Sequence, residues 1–238
     1  MVENNVVYTD KGGEELIQRA KVSKKYTVYG KYGELLVGGR VEQTRPESHI
    51  CSGYDLQLTE VLKKEADAVM ILLNPGKKVP LFDFEAGGWK KTVPDLTQAQ
   101  LILLMEEMQW KKLTILNLFD ICVGKVEDFN LLLKICERTY IAHSLFLKDP
   151  LRWKKEIASA KRLLFGWGAR PEARKLASEC GLSPQEGILP KHGKQPIAVW
   201  DEKKGYPKHP FQYSPVKCEQ WLVGMVEAMK KNAVEAPI

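Results

Sequence analysis

The sequence contains no apolar run approaching the ~20 residues that a helix needs to cross a bilayer, so no membrane span is expected. It has no C-x-x-C pair. Its five cysteines, Cys51, Cys122, Cys136, Cys180 and Cys218, are scattered and odd in number. That spacing argues against a zinc ribbon or an iron–sulfur cluster and reads as free thiols in a reduced compartment. The four histidines, His49, His143, His192 and His209, show no metal-ligand spacing either. No metal and no cofactor is therefore expected. Internal repeats and low-complexity stretches are absent. The N-terminus, MVENNVVYTDKGGEEL, is polar and acidic and reads as neither a signal nor a transit peptide. A cytoplasmic location is the expectation.

What is present suits a globular chain. Of the 238 residues, 44% are hydrophobic, enough for a sizeable core. Lys and Arg number 36 against 30 Asp and Glu, a net charge of +6. That excess permits nucleic-acid binding without establishing it. The local bias says more. Lys21, Lys24 and Lys25 cluster near the start, and Lys77, Lys78, Lys90 and Lys91 flank the central stretch described next. Lys191, Lys194, Lys203, Lys204 and Lys208 crowd the approach to His209.

Residues 67–76, DAVMILLNPG, organise the rest. A continuous apolar run ended by a turn tripeptide reads as a strand buried on both faces. Pro75 cannot donate to a ladder and Gly76 permits positive φ, so the strand ends there. Ligands of open α/β sheets bind beyond the carboxyl ends of such strands, which puts Asn74 at a candidate site. Alone, Asn-Pro-Gly would be only a turn. The later strand ends change the balance.

Residues 1–20 either hold a short helix around residues 14–20 or are partly mobile. Residues 25–37, KYTVYGKYGELLV, read as a hairpin around Gly30 and Gly33, and 38–54 as a loop whose Arg40, Arg45 and His49 are ligand contacts or ordinary surface. Residues 77–94 read as a loop carrying Phe82, Asp83, Phe84, Glu85 and Trp89. Its aromatics either cover a core edge or form a stacking wall for a planar base. Thr97 reads as the N-cap of a helix with Leu101, Leu104, Met105 and Met108 at helical spacing. Residues 113–119, LTILNLF, form a second buried strand with Asn117 near its end and Asp120 at its exit. Helices are expected over 129–142, 150–160, 171–180 and 216–231. A third strand covers 162–167 and a fourth 195–200, and 205–215, GYPKHPFQYSP, form a loop centred on His209. This order predicts one domain over 1–238, with a hairpin and loop over 25–54 and an α/β core over 67–231. The fold class is α/β: a three-layer sandwich around a mainly parallel four-stranded central sheet.

The strand ends, Asn74, Asn117–Asp120, Gly166–Ala169 and His209, resemble those of the uracil-DNA glycosylase superfamily. The carriers are Leu72-Leu73-Asn74-Pro75-Gly76, Leu116-Asn117, Leu164-Phe165-Gly166-Trp167-Gly168-Ala169, and His209-Pro210 with Ser214-Pro215 downstream. A more specific resemblance is to the uncharacterised family numbered 1643 among domains of unknown function, through LNPG, NLF, WGA and GYPKHPFQY. The chain departs from the glycosylase pattern. Leu72 and Leu73 stand where a Gly is usual, Asn74 replaces the Asp of the most active branch, and Phe211-Gln212-Tyr213 interrupts the His-Pro-Ser-Pro loop.

The superfamily resemblance implies cleavage of an N-glycosidic bond in DNA, on a single strand or an extruded base. Asn74 would hold the attacking water and His209 would donate to the departing base. Asn117 would read the base edge, with Phe82, Phe84 or Trp89 stacking on it. Lys77, Lys208, Ser214 and Arg170 would contact phosphates. Asp83, Glu85 and Asp120 are reserve general bases. Three readings stay open at this point: a DNA glycosylase, a non-catalytic nucleotide or single-strand binding module on the same fold, and a hydrolase of small nucleotides.

Overall fold

The computed structural model describes residues 25–53, 55–76, 88–182 and 195–235. The helix expected around 14–20 lies outside them, as do Lys77, Phe82, Asp83, Phe84 and Glu85.

Two long strands, β1 (Tyr26–Val37) and β2 (Arg40–Ser52), pair antiparallel from Tyr26↔Ser52 to Val37↔Arg40. The turn is Gly38-Gly39, with φ of 57° and 79°, the conformation a two-residue hairpin turn demands. This corrects the expectation of a hairpin within 25–37 followed by a loop. Gly30 lies inside β1 because of close approach, not turning: a Cβ there would meet the Arg45 Cδ at 2.9 Å.

The chain continues through α1 (Leu58–Lys63), β3 (Ala68–Leu72), β4 (Gly88–Lys91), α2 (Leu96–Glu107), β5 (Lys112–Asn117), α3 (Val126–Thr139), α4 (Leu145–Lys148) and α5 (Pro150–Ser159). It ends with β6 (Leu163–Phe165), α6 (Pro171–Glu179), β7 (Pro196–Ile197), β8 (Trp200–Asp201), β9 (Tyr206–Pro207) and α7 (Pro215–Glu235). The cap of α2 is Asp95 rather than Thr97. Its carboxylate accepts the Gln98 N–H at 2.8 Å, and the Gln98 side chain accepts the Asp95 N–H at 3.1 Å, a reciprocal capping box.

The main sheet has seven strands in the order β4-β1-β2-β5-β3-β6-β7. β5, β3, β6 and β7 are parallel, and β2, β1 and β4 extend them antiparallel. The fold is therefore α/β around a mixed sheet, wider than the four strands expected. The hairpin is not an appendage, because β2 bonds directly to β5 from Glu47↔Leu116 to Cys51↔Lys112. The fourth strand expected over 195–200 is split: β7 joins the main sheet, and β8 pairs with β9 in a separate ribbon.

All five residues of β3 are buried, as a strand with a strand on each side and an apolar layer on each face requires. One layer packs Val69, Ile71 and Leu116 against Phe129, Trp153, Ile157 and Leu176 of α3, α5 and α6. The other packs Met70, Leu72, Leu113 and Ile115 against Leu101, Leu104 and Met105 of α2 and Trp221 and Met225 of α7. Among the described residues, no helix is long and apolar enough to cross a membrane.

Candidate functional site

β3, β5 and β6 end on the same edge of the sheet, and main-chain hydrogen bonds carry the register past the last paired residues. Leu118 donates to the Leu72 carbonyl at 2.9 Å, Phe119 to Leu73 at 2.9 Å and Gly166 to Ile71 at 2.9 Å. Beyond those exits lie Asn74, Asp120 and the Gly166-Trp167-Gly168 turn.

Asn74 is half-buried. Its Nδ2 donates to the Val123 carbonyl at 2.8 Å, which orients the amide. Its Oδ1 carries no hydrogen bond among the described residues. Gly76 takes φ of +67°, as the turn requires.

His209 stands over the β6 exit. A Cβ on Gly166 would meet the Pro210 Cδ at 3.1 Å, and one on Gly168 would meet the His209 Cβ at 3.5 Å. Gly168, at φ +86°, also donates to the Pro207 carbonyl at 3.0 Å. Two glycines thus let the histidine loop seat against the strand end. The imidazole Nδ1 lies 3.0 Å from the Phe211 carbonyl oxygen and 3.2 Å from the Phe211 N–H. Its own loop therefore holds the ring in either tautomer. Burial lowers its pKa, against the Phe211 carbonyl and the Asp95 charge, so the ring is neutral at neutral pH.

Arg45 joins these ends. Its Nη2 donates to the Pro75 carbonyl at 2.6 Å and lies 3.4 Å from Asp95 Oδ2. Its own carbonyl accepts from Asn117 Nδ2 at 3.0 Å, and its N–H donates to the Asp120 carbonyl at 2.8 Å. Only 4% of Arg45 is exposed. Burial alone would lower its pKa, but Asp95 and Tyr32 outweigh that and raise it. The same Asp95 carboxylate caps α2 and acts electrostatically on both Arg45 and His209.

The other expected site residues divide. Asn117 sits on the β5 end, 1% exposed, with Nδ2 committed to Arg45 and Oδ1 lacking a partner among the described residues. It braces the site from within and presents no edge to solvent. Asp120 is fully buried; Lys148 Nζ lies 3.7 Å from Oδ2, and Lys148 and the Leu145 N–H both favour the charged carboxylate. Burial raises its pKa to about 7 against the pull of Lys148. A carboxyl sealed in this way does not serve as a base on bound substrate.

Trp89 lies on β4 rather than in a loop. Its ring stacks on His49, with centroids 4.6 Å apart and planes 15° apart. One planar partner of Trp89 is thus inside the protein, while Phe82 and Phe84, the other expected stacking residues, lie outside the described residues. Arg170 is engaged too: it donates to Asn130 Oδ1 at 3.0 Å, lies over the Phe129 ring and sits 3.6 Å from Glu172. Lys208 is fixed by its main chain, donating to Val199 and accepting from Trp221 Nε1 at 3.1 Å. Ser214 directly precedes α7, and its carbonyl accepts from Cys218.

Sequence reasoning missed Asp95, although the Asp-x-x-Gln spacing of a capping box was there to read. It left Arg45 undecided, because a bulge in β2 decides where that side chain goes. Among the described residues, no group of three or more His, Cys, Asp and Glu is placed to hold a metal ion. Comparison with protein-family models, curated proteins and solved structures finds no match to this chain.

Proposed function

We propose that the chain is a DNA glycosylase-like enzyme that hydrolyses the N-glycosidic bond of an altered or modified base. The observation that carries this reading is the seating of His209-Pro210 on Gly166 and Gly168, on the sheet edge where Asn74 ends β3. The four parallel strands β5-β3-β6-β7, with helices packed on both faces, support the finer fold reading, a uracil-DNA glycosylase-like core to which the hairpin and β4 are added.

In this mechanism the base leaves with the bonding electrons of the C–N bond and the sugar becomes oxocarbenium-like. Water then adds on the opposite face and gives up one proton, which through solvent neutralises the base that left with the bonding pair. Asn74 Oδ1 accepts a hydrogen bond from that water and orients it. An amide does not deprotonate it strongly, so bond breaking runs ahead of water attack. A neutral His209 that accepts the Phe211 N–H at Nδ1 carries its proton on Nε2. It donates this hydrogen bond to the departing base, where negative charge develops. One such donor is worth about 10²–10³ in rate. The base must be extruded or already unpaired to reach the site, and Lys208, beside His209, meets a phosphate. The partner is therefore DNA.

The departures at Leu72-Leu73 and at Phe211-Gln212-Tyr213 favour a second reading, a nucleotide or single-strand binding module that does not cleave. Incubation with oligonucleotides carrying uracil, mismatched thymine, alkylated or hypermodified bases, followed by alkali, separates the two. Strand cleavage that Asn74→Ala and His209→Ala abolish supports the enzyme. Salt-sensitive binding without cleavage supports the module.

A further inference from the structure

Arg45 reaches the site because the hairpin is irregular at one point. Lys31 pairs with Glu47, but Gly33 pairs with Thr44. Arg45 and Pro46 therefore oppose Tyr32 alone, which makes a bulge, a position where proline's missing N–H costs no ladder bond. On a regular strand, residues two apart share a face. Across this bulge they do not. Arg45 reaches Asp95 at the start of α2, on the face that packs against α2 and α7. Glu47 reaches Arg152 of α5, on the face that packs against α3 and α5. Gly30 completes the path, since any larger residue would collide with the arginine stem.

We infer that Arg45 is a positioning residue of the site: its guanidinium holds the Asn74-Pro75-Gly76 exit through the Pro75 carbonyl, and its main chain holds Asn117. The catalytic part of this inference rests on the glycosylase reading. The Pro75 carbonyl, just beyond Leu72, the last paired residue of β3, accepts from Arg45 at 2.6 Å. Asn74 is then fixed on two sides, by that clamp and by its own bond to Val123. Both contacts come from Nη2 at the far end of the guanidinium, a position that a lysine ammonium on its shorter stem does not reach. Displacing a water-orienting group by about 1 Å costs on the order of 10²-fold in rate.

The test uses the full chain as Arg45→Lys, Asp95→Asn and Gly30→Ala. Asn caps a helix about as well as Asp, so Asp95→Asn removes the charge facing Arg45 and leaves α2 capped. The first readout is the side-chain amide resonances of Asn74 and Asn117 by NMR. The second is kcat and KM on whichever oligonucleotide of the panel the wild type cleaves. In the folded variants, both amide signals shift together. kcat falls roughly 10–100-fold with KM within about threefold, the pattern of a misplaced group rather than a lost substrate contact. Unmoved amide signals in folded Arg45→Lys and Asp95→Asn overturn the inference. So does a raised KM with unchanged kcat. If Arg45→Lys does not fold, Asp95→Asn and Gly30→Ala decide by the same criteria. If the wild type cleaves nothing in the panel, the glycosylase reading fails, and the amide signals alone judge Arg45.

Discussion

The Asp120 N–H donates to the His143 carbonyl at 2.8 Å, and burial drives the two side chains in opposite directions. It raises the Asp120 carboxyl to about 7 and lowers the His143 imidazole to about 4. The folded state therefore holds both groups neutral at mildly acid pH. Their contributions to stability run against each other. Asp120 keeps its proton better when folded, so its contribution is present below its ordinary pKa of 3.8 and is lost as pH rises towards 7. His143 takes a proton less readily when folded, so its contribution is present above 6.5 and is lost as pH falls through about 4. Denaturant titrations between pH 4 and pH 8 should show the consequence. Asp120→Asn removes one slope, leaves stability falling with acid, and gains roughly 2–4 kcal/mol over the wild type at pH 8. His143→Gln leaves the opposite slope. If both variants keep the wild-type pH profile, the assignment is wrong.

Glu47, His49 and Arg152 make a second buried polar group. Glu47 bonds to Arg152, and His49 Nε2 lies 3.1 Å from Glu47 while Nδ1 meets Thr114 Oγ1 at 3.0 Å. Burial alone would raise the Glu47 pKa, but the His49 hydrogen bond and the Arg152 and Lys31 charges outweigh it and lower it. His49 is lowered by burial, so a neutral imidazole donates to a charged carboxylate. Arg152→Ala should cost roughly 2–4 kcal/mol by chemical denaturation, less than for a wholly buried pair because Arg152 is partly exposed. Glu47→Gln in the same background should recover part of that loss, and a strictly additive double variant would refute the coupling.

The His209 tautomer is open to direct observation. The proposed donor role requires the proton on Nε2, with Nδ1 accepting from Phe211. Nitrogen-15 NMR at pH 7 should find a neutral ring in that form, titrating below an ordinary histidine because burial lowers its pKa. His209→Gln should lower cleavage about 10²–10³-fold and leave the thermal midpoint within a few degrees. A ring protonated on Nδ1 would remove the proposed donor.

Gly166 tests the seating of the same loop. Its absent Cβ would fall 3.1 Å from Pro210, 3.2 Å from Met70 and 3.3 Å from Leu72. Two of these neighbours are the buried Met70 Sδ and Leu72 Cδ2 of β3 and the third is the Pro210 Cδ, so the loop carrying His209 is the part expected to yield. Gly166→Ala should destabilise by about 1–3 kcal/mol and lower cleavage more than binding. An unchanged His209 NMR signal in that variant would show that the strand moved and the loop did not.

The amino-acid order by itself determined what local chemistry can settle. Residues 69–73 read as a strand covered on both faces because the apolar run is short and ends at Asn-Pro-Gly, and the strand runs Ala68–Leu72 with every residue buried. Pro75 and Gly76 ended it, and Pro150 and Pro171 opened helices. Each depends on a residue's own backbone limits or its nearest neighbours. The widening of the sheet to seven strands, the sealing of Asp120 and Asn117, and the pairing of Trp89 with His49 were decided only when distant segments met. The bulge at Arg45-Pro46 shows the reason most plainly. One extra residue in β2 sends two side chains, two positions apart in sequence, to opposite faces of the sheet. Which strand lies opposite sets that outcome, through pairing across the hairpin, and no reading of β2 alone contains it.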